Sequence, residues 1–165
     1  MLKALVKKWD KHKELLKAAL AELPIVKERA YWACIEDYTD IVKLTFDIIY
    51  NTNNEESEYM DADTENITVV DNGDYRGAVL YLIPLDDYSP MEYDYLMTYI
   101  NYGSCSECDT LKRIAELDTP EEKVRDLMIL CKDIITNTIK PYNCGWREDK
   151  EFEFEEVNYN GEDKI

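Results

Sequence analysis

Ile67-Thr68-Val69-Val70-Asp71-Asn72-Gly73-Asp74-Tyr75-Arg76-Gly77-Ala78-Val79-Leu80-Tyr81-Leu82-Ile83 is the stretch that decides the fold class. Two β-branched or apolar runs, 67–70 and 78–83, flank a polar segment containing Asn-Gly, where glycine supplies the positive φ of a tight turn. The pattern predicts an antiparallel hairpin. Downstream, Pro84 to Pro90 reads as a second loop. Glu92 to Tyr102 alternates in part, holds four tyrosines, and reads as a third consecutive strand that Gly103 breaks.

Helical periodicity appears on both sides of this meander. Leu2, Leu5, Val6, Trp9, Leu15, Leu16, Ala19, Leu20 and Leu23 recur at helical spacing up to Pro24, with lysines on the opposite face. Thr119-Pro120-Glu121-Glu122 combines an N-cap threonine, a first-turn proline and a capping-box glutamate. Apolar positions from Val124 to Ile139 carry that helix towards Pro141. Residues 109–117 read as a shorter helix. Between Tyr31 and Glu36 the alternation reads as a strand, followed by an Asp37-Tyr38-Thr39-Asp40 turn with Thr39 as N-cap and a helix from Ile41. Residues 51–65 read as an acidic loop. The expectation is an α+β fold: an antiparallel sheet of about four strands, with the N-terminal helix and the 120–139 helix packed on it. Residues 1–145 make a single domain. The acidic tail 146–165, alternating at Phe152 and Phe154, adds an edge strand or stays loose.

Charge is the second strong feature. The chain has 36 acidic and 19 basic residues in 165, for a formal net charge of −17. Residues 30–110 hold eighteen of the acids and eleven of the thirteen tyrosines, against Lys43 and Arg76 as the only basic residues, a local net charge of −16. Residues 1–29 carry +4 and residues 111–165 carry −5. High aromatic content and 45% hydrophobic residues argue for a folded chain rather than an acidic disordered one. The N-terminus has no uninterrupted apolar stretch, and the longest uncharged apolar run, Gly77 to Leu85, is too short to span a bilayer. Five cysteines in a chain large enough to fold without staples suit a reducing cytoplasm. Such acidity disfavours direct binding of nucleic acid or an anionic membrane and favours a cationic partner.

Catalytic patterns are missing. There is no Walker loop, no dinucleotide fingerprint and no His-Glu-x-x-His. The one histidine, His12, sits in the lysine-rich first helix and makes a poor triad member. Asp61-Ala62-Asp63-Thr64-Glu65 opens like a calcium loop, but Asn66 replaces its glycine and Asn72 its final glutamate. The reading is therefore a non-enzyme without a required cofactor. Cys105-Ser106-Glu107-Cys108, between a strand and a helix, is the sharpest short motif. A helix N-terminus stabilises a thiolate there, permitting disulfide exchange or half of a zinc site. The plainer reading has Ser104 or Ser106 capping the helix while both cysteines pack against the sheet.

Carboxylates spread over a rigid tyrosine-rich face can imitate the charge spacing of a nucleic-acid backbone. The candidate partner-binding residues are Asp61, Asp63, Glu65, Asp74, Tyr75, Asp86, Asp87, Tyr88, Glu92, Tyr93, Asp94 and Tyr95. Tyr102-Gly103-Ser104-Cys105-Ser106-x-Cys108-Asp109-Thr110-Leu111, preceded by Asp71-Asn72-Gly73-Asp74-Tyr75-x-Gly77, resembles a group of small uncharacterised proteins of bacteriophage and prophage genomes. The similarity covers residues 67–114. It implies a phage-encoded protein acting in the cytoplasm of a bacterial host. By analogy of class, small acidic phage accessory proteins resemble inhibitors of host defence, including restriction and CRISPR effectors. The expected function is that of a decoy on the basic groove of such a host protein. A thiol or zinc protein centred on Cys105 and Cys108, and a structural or assembly protein of the phage particle, are the alternatives.

Overall fold

The computed structural model describes residues 2–28, 32–52, 60–74, 76–85, 90–91 and 94–139, with side chains from Leu5 onward. The elements are helix α1 (Leu2–Leu20), the short α2 (Pro24–Lys27), α3 (Ile35–Thr45) continuing as a π-helical turn (Phe46–Tyr50), a 3-10 turn (Thr64–Asn66), strands β1 (Thr68–Asp71), β2 (Gly77–Pro84) and β3 (Tyr95–Tyr102), and helices α4 (Thr110–Ala115) and α5 (Pro120–Thr136). Mixed helix and antiparallel sheet was the expected class. The described residues form three strands, in the order β1-β2-β3, rather than four.

The missing strand is the 31–36 segment. Its described part has no regular structure from Trp32 to Cys34, with Cys34 itself extended, and α3 starts at Ile35. Cys34 is the N-cap, and Asp37 at the third helical position returns its carboxylate to the Cys34 N–H at 2.7 Å. Asp37 to Asp40, expected as a turn, thus form the first part of the helix. Tyr38, Ile41, Val42, Thr45, Phe46, Ile49 and Tyr50 then make one buried stripe. The π turn, closed by Asn51 N–H to the Phe46 carbonyl at 3.0 Å, brings Phe46, Ile49 and Tyr50 into the core together.

The hairpin forms where expected. Asp71 pairs with Val79, Thr68 with Leu82, and β2 pairs with β3 along its whole length from Gly77–Tyr102 to Pro84–Tyr95. One face of the sheet buries Val79, Tyr81, Ile83, Leu96, Thr98, Ile100 and Tyr102. The other leaves Val70 and Tyr99 exposed beside half-buried Leu80, Leu82 and Met97. At the turn, Gly73 answers a close approach and not a left-handed backbone. A Cβ there would collide with the Arg76 carbonyl oxygen and lie 2.8 Å from Gly77 Cα. Asn72 closes the loop by accepting the Ala78 N–H at 2.9 Å.

Helix α5 packs on β3, with the Thr98 hydroxyl donating to the Ile134 carbonyl at 3.0 Å inside the core. Helix α1 packs chiefly on α5 and the π turn, burying Leu5, Leu16 and Leu20, each side chain contributing about 1.5–3 kcal/mol. Thr119 and Glu122 form the expected capping box. The helix ends at Thr136, short of Ile139, and the Thr136 and Thr138 hydroxyls bond the carbonyls of Asp133 and Ile134 at its last turn. Ile139 instead exchanges two backbone hydrogen bonds with Met97, at 2.8 and 2.9 Å. The 146–165 tail lies outside the described residues.

Two basic side chains lock the helices together. Lys123, 3% exposed, donates to the carbonyls of Ile25 and Glu28 at 2.9 and 3.2 Å, tying α2 to α5. Asp126 of α5 accepts from Arg113 of α4 at 2.7 Å and from Arg125 at 2.9 Å. The Arg113 guanidinium, followed by Arg125, holds the Asp126 carboxyl below the usual carboxylate range. A depressed folded pKa contributes stability above the unfolded value of about 3.9 and loses it as pH falls through the folded value. Asp126→Asn is expected to cost about 1 kcal/mol at neutral pH, since both arginine heads are half-exposed or more. Urea unfolding of both proteins should show that gap narrowing below about pH 4.

Candidate functional site

Six of the twelve nominated residues, Tyr75, Asp86, Asp87, Tyr88, Glu92 and Tyr93, lie outside the described residues. The other six separate into two groups at opposite ends of the sheet. Asp61, Asp63 and Glu65 precede β1 beside the Pro84 end of β2, where Ala62 bridges Leu85 and the Asp63 N–H meets the Pro84 carbonyl at 2.8 Å. Asp94 and Tyr95 join them, since the Leu85 N–H donates to the Asp94 carbonyl at 2.7 Å. Asp47 arrives from the π turn, its carboxylate accepting the Thr64 hydroxyl at 2.7 Å. Asp74 stands in the hairpin loop at the Gly77 end, about 23 Å away along an eight-residue strand.

These carboxylates do different work. Asp63 caps its own 3-10 turn, accepting the Glu65 and Asn66 amides at 3.1 and 3.2 Å. Asp94 accepts the Met91 N–H at 3.0 Å. Glu65, well exposed, pairs loosely with Lys43 at 3.5 Å, a contact worth about 0–1 kcal/mol. Asp61 acts electrostatically on Lys8, which hydrogen-bonds the Tyr50 carbonyl and lies over the Tyr50 ring at 5.2 Å. Burial lowers the Lys8 pKa, and Asp61 opposes that shift. Among the described residues, the Pro84 end therefore gathers Asp47, Asp61, Asp63, Glu65 and Asp94, with Lys8 and Lys43 nearby.

The sequence reading missed a second site, at the Gly77 end. A cleft of about 430 Å³ is lined by residues of the α3 start, the hairpin loop and the 102–112 segment, with Tyr38, Asp74, Tyr102 and Asp109 among its polar groups. Asp109, 5% exposed, anchors it. Its Oδ1 accepts the Tyr38 hydroxyl at 3.0 Å and the Lys112 N–H at 2.9 Å, and its Oδ2 accepts the Gly103 N–H at 3.2 Å. Tyr38 in turn accepts the Leu111 N–H at 3.1 Å. Burial, reinforced by Asp109, pushes the Tyr38 phenol far above its ordinary value. The Tyr102 hydroxyl lies 2.7 Å from Asp71 and 2.8 Å from the Gly73 carbonyl oxygen, so the Asp71 hydrogen bond drives its pKa up to about 12. Tyr81 is fully buried nearby; its hydroxyl approaches the Thr39 side chain without reaching full hydrogen-bonding geometry to any described residue, and burial, opposed by Thr39, lifts its pKa to about 12.

Asp109 and not Ser104 or Ser106 caps α4, and Cys105 and Cys108 are exposed instead of packed on the sheet. Their Sγ atoms are 2.7 Å apart. Cys108 lies against Gly103, where a Cβ would collide with the Cys108 sulfur and come within 2.7 Å of its carbonyl oxygen. Among the described residues no three His, Cys, Asp or Glu side chains converge to hold a metal ion, and Cys144 is not among them. His12 is buried, its pKa lowered by that burial and by Lys11 and Lys8. No helix among the described residues is long and apolar enough to cross a membrane.

Comparison of the chain with protein-family models, with curated proteins and with solved structures gave no match. The site's chemistry therefore rests on its own geometry. Asp109→Ala is expected to destabilise the fold by about 2–4 kcal/mol, because Tyr38 and Gly103 would lose a buried acceptor. Asp109→Asn should cost less, keeping one carbonyl acceptor. Urea melts of the two variants beside the parent check both.

Proposed function

We propose that the chain is a non-enzymatic binder of a basic protein surface, acting as an acidic decoy for a nucleic-acid-binding groove. The observation that carries this reading is the gathering of Asp47, Asp61, Asp63, Glu65 and Asp94 at the Pro84 end, with Lys8 and Lys43 as the neighbouring cations. Asp86, Asp87 and Glu92 flank that end in sequence. Two of the carboxylates already hold their own loops, so their positions are fixed before any partner arrives. Such pre-organisation lowers the entropic cost of association. Tyr95, half-buried at the same end, supplies rigid aromatic contact area.

The Tyr102–Leu111 and Asp71–Gly77 resemblance points the partner towards host defence in a phage-infected bacterium, with restriction and CRISPR effectors as the natural class. Association driven by such a surface is fast and sensitive to salt. The test immobilises the full chain and passes bacterial lysate over it across a salt series. Duplex DNA should compete with the chain for the captured protein, and capture should fail as salt rises. The combined variant Asp61→Lys, Glu65→Lys, Asp86→Lys and Asp87→Lys should lose at least about tenfold in affinity, on the order of 1.4 kcal/mol, with its thermal melt retained. Undiminished capture by a folded charge-reversed protein refutes the proposal.

A further inference from the structure

We propose that Cys105 and Cys108 are a reversible dithiol–disulfide couple that exchanges with disulfides entering the adjoining cleft. Their sulfurs are already 2.7 Å apart and both side chains face solvent. The turn between them is formed, with the Cys108 N–H on the Cys105 carbonyl at 3.0 Å, so joining the sulfurs requires little backbone movement. The loop is pinned at its base by Asp109 on the Gly103 N–H and by the Lys112 ammonium on the Gly103 carbonyl at 3.1 Å. Gly103 and Ser104, next to the pair, line the cleft, which gives a substrate somewhere to sit.

The two sulfurs are not equivalent. Cys108 accepts the Cys105 N–H at 3.2 Å and lies within reach of the Cys105 S–H. The Cys105 S–H first, then the Cys105 and Ser104 amides, lowers the Cys108 pKa, while donating to Cys108 raises that of Cys105. In its neutral form Cys108 has the Cys105 carbonyl at 3.2 Å as an alternative acceptor. Of the other described thiols, Cys131 is buried, which pushes its pKa to about 12, and Cys34 is exposed on the cleft wall, where partial desolvation, then Glu36 and Asp37, push it up to about 11.

The step balances with an external disulfide R–S–S–R′ as oxidant. The Cys108 thiolate attacks one sulfur, forming a Cys108–S–S–R mixed disulfide as R′S⁻ leaves. Cys105 passes its proton to R′S⁻ and attacks the Cys108 sulfur, expelling RS⁻. Two electrons move from the protein dithiol to the substrate disulfide, and the reverse sequence reduces the pair. Glu36 and Asp74 outnumber Lys112, the basic residue of the cleft wall, and favour cationic disulfides over anionic ones.

The experiment uses the reduced full chain and cystamine, a cationic disulfide, followed by alkylation and peptide mass mapping. The expected result is a Cys105–Cys108 bridge that dithiothreitol reopens. Cys105→Ser should instead retain a cysteamine adduct on Cys108, and Cys108→Ser should react at the remaining cysteine at least about tenfold more slowly at neutral pH. Two independently alkylated thiols in the parent protein after cystamine would overturn the proposal, as would one retained zinc per chain that Cys105→Ser releases. Should Cys108→Ser fail to fold, the bridge in the parent protein decides alone. The charge-reversed variant of the Pro84 end should form the same bridge, so the two readings stand or fall separately.

Discussion

A buried carboxylate with three donors holds together the part of the molecule where chemistry is concentrated. Asp109 takes one hydrogen bond from α3 through Tyr38, one from the end of β3 through Gly103, and one from the first turn of α4 through Lys112. A polar group away from water is tolerable only when such donors replace its hydration. Helix α3 is far in sequence from the short β3–α4 connection, Tyr38 lying 71 residues from Asp109, so the contact defines their mutual placement. It also closes the base of the loop that carries both exposed cysteines. Gly103 completes the arrangement, since any side chain there would displace Cys108.

The same economy governs the acidic segment. Folding does not spread its carboxylates evenly, nor does it merge them all. The Pro84 end collects five, and the hairpin at the far end keeps Asp71 and Asp74. The length of β2 exceeds the Debye length of about 8 Å at physiological salt, so the two groups scarcely repel each other. Loop amides and hydroxyls take up part of the charge within each group, and Lys8 and Lys43 add to this at the Pro84 end. Helix α1, the basic segment, contributes Lys8 to the acidic end through the Tyr50 carbonyl.

Elements with strong local punctuation were legible in the sequence. The Thr-Pro-Glu-Glu start of α5 carries its own stereochemical instruction. Asn-Gly marks the hairpin loop through the room that glycine leaves and not through a positive φ. Helix α1 ends at Leu20, before Pro24, which opens α2 instead of stopping α1. Helix α3 was harder, because Ile41 to Ile48 fits both periods and its N-cap is a cysteine, outside the usual capping set. Its capping box with Asp37 was the available clue. The cleft was illegible for another reason. Tyr38, Asp71, Tyr102 and Asp109 are spread over more than seventy residues, and only the register of β1 on β2 and β2 on β3 brings Asp71 to Tyr102. The cysteine pair was legible as a motif, whereas the direction of proton sharing between its sulfurs depends on turn geometry.

A small sheet with one greasy face would ordinarily invite other chains to add themselves strand by strand. Here β1 is only four residues long and terminates in a charged aspartate, which offers a poor template. On the opposite margin, Ile139 occupies the Met97 backbone groups of β3. Polymerisation along the hydrogen-bonding direction is thereby discouraged at both margins. Val70, Leu80, Leu82, Met97 and Tyr99 thus lie on a face whose neighbouring edges are poor templates for a further strand.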